Sequence, residues 1–151
     1  MDLSYQEKSI LGSLLALIVA YGFYFGAMLR HLGERGAEGA SLGRLVVAVI
    51  VIIVIETVYN IVLAFETKPQ PKDERDVMIA GKAYRNAYFL LYFGAGTIMT
   101  CALGLAAIDG ATPMRITVTP FLILNTMLLL LVSAEIVKFL TQLFYYRQGL
   151  R

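Results

Sequence analysis

Glu56 stands in the run Val51-Ile-Ile-Val-Ile-Glu-Thr-Val-Tyr-Asn60, where its amino-terminal neighbours are all aliphatic. An ionisable side chain in such surroundings costs about 2.5–3.5 kcal/mol on membrane-insertion scales, so its presence needs a reason. Asn60 follows four residues later, a spacing that sets both side chains on one helical face. A second acid, Glu135, precedes Lys138 by three residues in Leu131-Val-Ser-Ala-Glu-Ile-Val-Lys138, again on one face, with Asn125 earlier in the same run. Arg85 and Asn86 complete the polar groups inside apolar stretches.

Two chemistries fit these six candidates: Glu56, Asn60, Arg85, Asn86, Glu135 and Lys138. The first is a proton- or ion-coupled site built on the two carboxylates. The second is a buried network that fixes helix register, with Glu56–Asn60 and Glu135–Lys138 as its pairs. Lys138 and Arg85 can also snorkel to a membrane interface on their long stems.

Other chemistries are excluded by residue supply. His31 and Cys101 are each the single residue of their type, so one chain cannot assemble a haem pair, a zinc site, a Cys–His nucleophile or an internal disulfide. No glycine-rich loop ending in Lys-Ser/Thr is present to cradle a phosphate. The expectation is a chain without catalytic residues, metal or cofactor, and not an enzyme.

The elements that must position the polar groups follow from composition. Of 151 residues, 58% are hydrophobic and only 16% charged, and the charges cluster between long apolar runs. A formal charge of +2 does not point to nucleic acid. A helix needs roughly 20 apolar residues to cross a hydrocarbon core. Four runs meet that length, at about 9–29, 45–65, 78–108 and 116–144. Continuous runs without period-2 alternation argue against strands. The first reads as a retained span rather than a signal peptide, because no small-residue cleavage site follows it. The expected fold is all-α: one domain over 1–151, an integral membrane four-helix bundle made of two helical hairpins.

The breaks are marked. Residues 31–44 carry four glycines and read as a flexible loop. Pro69 and Pro71 terminate the second helix. Asp73 is the expected N-cap of the third, with Asp76 three residues on at its positive end. The segment from Asp109 to Arg115 is short enough to make the last two helices an antiparallel hairpin.

Nine basic residues (Lys8, Lys68, Lys72, Arg75, Lys82, Arg85, Lys138, Arg147 and Arg151) fall on one side of this arrangement, and Arg30, Arg35, Arg44 and Arg115 on the other. The imbalance predicts both termini in the cytoplasm, with Tyr145-Tyr146-Arg147 as an interfacial anchor. At 1.5 Å per residue, Asn60 and Glu135 then lie roughly 7 Å to the cytoplasmic side of their span centres. Arg85, Asn86 and Lys138 lie a little further out, so the six polar groups are expected to converge. Because a buried carboxylate needs a partner, Glu56 or Glu135 is expected to reach a polar side chain of another helix.

Small residues recur at four-residue spacing in Gly12-Ala16-Ala20, Gly22-Gly26 and Gly96-Thr100-Gly104, stripes that ordinarily mark intramolecular helix packing. Shifting the sequence by 79 residues lays Glu56 on Glu135 and Tyr5 on Tyr84. That register would make the hairpins parallel copies about an axis along the membrane normal.

Three segments carry a family likeness: Tyr5-Gln-Glu-Lys-Ser9, Pro71-Lys-Asp-Glu-Arg-Asp76 and Tyr145-Tyr-Arg-Gln-Gly149. With Glu56 and Glu135 inside spans, the chain resembles an uncharacterised family of small four-span bacterial inner-membrane proteins. The resemblance implies multi-pass topology in the bacterial inner (cytoplasmic) membrane and implies no activity.

Short loops, no catalytic constellation and a charged segment at 66–76 suited to docking favour a non-enzymatic regulatory or accessory protein that binds another membrane chain. The rival is a small proton- or ion-coupled transporter or channel using Glu56 and Glu135, which in a bundle this small would be oligomeric. The partners to expect are the lipid bilayer, a second copy of the chain, and a membrane or cytoplasmic protein.

Overall fold

The computed structural model describes residues 4–30, 37–66, 71, 73–108 and 120–148. These form four α-helices: α1 (Tyr5–Arg30), α2 (Ala37–Glu66), α3 (Glu74–Ile108) and α4 (Pro120–Gln148). Each is long and apolar enough to cross a membrane, as a multi-pass membrane protein requires.

Local chemistry explains where the helices start and stop. The Asp73 carboxylate accepts from the Asp76 amide at 2.7 Å, and the Asp76 carboxylate accepts from the Asp73 amide at 3.1 Å. This reciprocal capping box satisfies two otherwise unpaired donors at the start of α3. Ser4 and Glu7 make the same exchange for α1, at 3.3 and 2.9 Å. Pro120 opens α4 at the position where its missing N–H costs nothing. α2 ends at Glu66, before Pro69 and Pro71.

α2 corrects the loop expected over 31–44. Helix begins at Ala37, so Gly39 and Gly43 are helical, and a Cβ built on Gly43 would meet nothing within 4 Å. Only 31–36 of that loop, His31 among them, lie outside the described residues. The turn expected between Asp109 and Arg115 lies outside them as well.

α1 is central, packing against both α2 and α4, while α4 packs against α1 and α3. Leu14, Ala16, Leu17, Ala20 and Tyr24 are accordingly buried on more than one side of α1. On α3 the buried stripe is Ile79, Ala83 and Ala87, and α4 is the helix packed against it. Alanine seams let backbones approach closely, which is how helices associate where lipid is as apolar as their side chains. Two glycines admit side chains of a neighbouring helix. A Cβ on Gly12 would overlap the Tyr59 ring of α2, and one on Gly94 would overlap the Leu130 side chain of α4.

Of the three small-residue stripes, Gly12-Ala16-Ala20 packs inside. Gly22, Gly26, Gly96 and Gly104 are exposed with nothing within 4 Å of a built Cβ, so those two stripes are not internal seams. The starts of α1 and α3 meet the end of α4 through Asp76, which accepts from Tyr146 Oη at 2.7 Å and Gln6 Nε2 at 3.4 Å. The end of α2 joins them, since Tyr59 Oη donates to the Lys8 carbonyl at 2.7 Å. Both ends of the described chain therefore lie at one end of an up-down-up-down bundle. Tyr145 and Tyr146 are tied to neighbouring helices there, with the Lys82 ammonium 4.7 Å from the Tyr145 ring centroid.

The row of contacts runs α2–α1–α4–α3, and α2 and α3 share no comparable seam. A two-fold relation between hairpins would map the α1–α4 seam onto an α3–α2 seam. Packing is therefore asymmetric even though Glu56 and Glu135 occupy matching points of the sequence.

Candidate functional site: a cleft between the outer helices

Because α2 and α3 are held apart by the α1–α4 pair, a cleft of about 720 Å³ opens between them, lined by all four helices. α2 contributes Glu56; α4 contributes Glu135, Lys138 and Phe139; α1 contributes Ser13 and Tyr21; and α3 contributes Tyr84 and Tyr88. The remaining lining is aliphatic, including Leu17, Ile52 and Leu91. Its volume is that of a pocket for a drug-sized molecule.

The charges inside are unequally satisfied. Lys138 forms an ion pair and hydrogen bond with Glu135 one turn away. The lysine side chain is only 13% exposed while that of Glu135 is 47% exposed, so the acid is the more open half of the pair. The Lys138 ammonium also lies 5.5 Å from the Tyr84 ring centroid and 4.4 Å from that of Phe139, within cation–π range. Glu56 is half-buried. Among the described residues, no hydrogen bond or ion pair reaches its carboxylate.

Three of the six sequence candidates thus line one cavity and three do not. Asn60 turns toward α1: its Oδ1 accepts from Ser9 Oγ at 3.0 Å, and its Nδ2 donates to the Glu56 backbone carbonyl at 2.8 Å. The Glu56 carboxylate is left out of that exchange, so the expected side-chain pair Glu56–Asn60 is replaced by a seam between α1 and α2. Arg85 and Asn86 are exposed, and Asn86 Nδ2 donates to Thr141 Oγ1 at 3.5 Å on the outside of the α3–α4 pair. The expected cross-helix partner for an acid is also corrected. Glu135 pairs within its own helix, with Lys138 one turn on.

Register is held elsewhere. Asn125, 2% exposed, accepts from Tyr24 Oη at 2.6 Å and donates to the Phe121 carbonyl at 2.8 Å. The Tyr24–Asn125 bond joins the two central helices at the core. Sequence reading missed Tyr24 and the three cleft tyrosines, since any tyrosine in an apolar run reads equally as core or interface. The four-residue spacing of Tyr84 and Tyr88 was the available signal for the α3 wall.

Two other cavities are mainly apolar. One, about 640 Å³ between α1 and α2, has Arg44 as its single charged lining residue. Compared with known proteins, the chain matches no family model, no curated protein and no solved structure.

Proposed function

We propose that this chain is a small proton- or ion-coupled transporter of the bacterial inner membrane, with its substrate site in the four-helix cleft. The observation that carries the proposal is Glu56, which lines the cleft and whose carboxylate has no partner among the described residues. A purely register-fixing role would place its oxygens in a bond between helices. Ser9–Asn60 and Tyr24–Asn125 already perform that role, leaving Glu56 outside it. A carboxylate kept in an apolar span at the cost described above, and not used for packing, is available to exchange a proton or to hold a cation. The inner-membrane location rests on the family resemblance, and the distribution of basic residues gives only the orientation.

The test is flux through purified protein in liposomes under an imposed pH gradient, with wild type beside Glu56→Gln. The amide keeps the shape of the side chain but cannot titrate or carry charge. Wild-type flux that the amide variant loses is expected; equal flux in both, or none in either, refutes the transporter reading.

The regulatory reading is favoured by a different observation. Residues of α2 such as Val46, Val47, Ile50, Ile53 and Val54 are exposed, and the main seam of α2 is with α1. That free face suits a second copy of the chain or another membrane helix. Subunit counting in dilute liposomes tests the homo-oligomer, and a monomer at every dilution removes it.

A further inference from the structure

We propose that the cleft selects an organic monocation: a drug-sized ligand with one positive charge and aromatic or alkyl bulk. This deepens the transport reading and rests on the same site, but concerns what binds there rather than whether binding is coupled to flux.

Charge is the first argument. Two carboxylates and one ammonium line the cleft, and Glu135 and Lys138 neutralise each other. One carboxylate, that of Glu56, remains to be balanced. In a site of low dielectric a single uncompensated anion strongly favours a cation over a neutral or anionic ligand.

The walls give the second argument. Tyr84 and Phe139 already seat an ammonium, that of Lys138, at 5.5 and 4.4 Å from their ring centroids. The protein thus displays, with its own side chain, how a cation is held in this cleft: by a carboxylate on one side and aromatic faces on the other. Tyr21 and Tyr88 extend the aromatic lining. A metal ion is the poorer fit. Hard cations take six or more oxygen ligands, and among the described residues no three His, Cys, Asp or Glu side chains group to hold one. The aliphatic remainder of a cleft of about 720 Å³ instead suits hydrocarbon bulk. Access follows from the contact order. α2 and α3 share no seam comparable to the other three, so a ligand dissolved in the bilayer enters sideways between them.

Lys138 is then a tethered competitor. It occupies Glu135 and the Tyr84 face, and its removal should free both for ligand.

The experiment is calorimetric titration of tetraphenylphosphonium into the full chain in uncharged detergent, with tetraphenylborate as the isosteric anion and detergent alone as background. Wild type should bind the cation and not the anion. Glu56→Gln should weaken cation binding roughly tenfold or more, the range of one ion–ion attraction near a protein surface. Lys138→Met should tighten it several-fold, an opposite shift that loss of folding cannot imitate. Equal binding of cation and anion, undiminished binding by Glu56→Gln, or weaker binding by Lys138→Met overturns the proposal. Selective binding without proton or cation flux in liposomes would uphold this inference and refute transport. Flux without cation selectivity would do the reverse.

Discussion

Tyr24→Phe removes one hydroxyl from the centre of the bundle and leaves the ring in place. The ring contacts of Tyr24, including the edge-on Phe25 ring at 5.1 Å between centroids, should persist, while the 2.6 Å bond to Asn125 is lost. Two magnitudes compete. Leaving a buried acceptor without its donor costs about 1–3 kcal/mol in soluble proteins. Hydrogen bonds between helices in a membrane protein average only about 0.6 kcal/mol, with a maximum near 1.7, because the unfolded chain in the membrane also finds partners. Asn125 is 2% exposed and its amide is committed to the Phe121 carbonyl, which restricts re-pairing and places this bond toward the upper end of the membrane range. We expect a loss of about 1–1.5 kcal/mol. Tyr24→Phe combined with Asn125→Leu should recover part of that loss, since replacing both partners by apolar groups is nearly neutral. Reversible unfolding in mixed detergent micelles, followed by steric trapping, measures both. An unchanged stability for Tyr24→Phe would refute the assignment of this bond as the tie between α1 and α4.

Gly12→Val should destabilise by about 1–3 kcal/mol in the same assay through overpacking against the Tyr59 ring, whereas Gly22→Ala, which faces open space, should stay within about 0.5 kcal/mol. Asp73→Ala should cost about 0.5–2 kcal/mol by removing the α3 cap, with amide exchange rising at the first turn of α3. A reporter fused after Arg151 should read cytoplasm, and cysteine labels placed at 33–43 should react from outside; an external carboxyl terminus refutes the orientation drawn from the basic residues.

Much of this protein is legible in one dimension. Four helices follow from apolar length, and Pro69, Pro71 and the Asp73–Asp76 box delimit them, because hydropathy, a missing N–H and a short carboxylate act within one turn of chain. The shared helical face of Glu135 and Lys138 is equally local, and their ion pair forms within α4. What spacing could not give is rotation about each helix axis. Lipid is as apolar as leucine, so no hydrophobic force assigns one aliphatic face inward and another outward. Close packing decided instead. Gly12 admitted the Tyr59 ring, which draws α1 to α2, turns Asn60 toward Ser9 and leaves Glu56 lining the cleft. The buried Tyr24–Asn125 bond made α1 and α4 the central pair. With that pair in the middle, α2 and α3 form no comparable seam, and Arg85 and Asn86 are exposed. The sequence by itself determined which charges enter the apolar spans; only the tertiary structure decided which of them share a cavity, because that depends on how closely two backbones can approach.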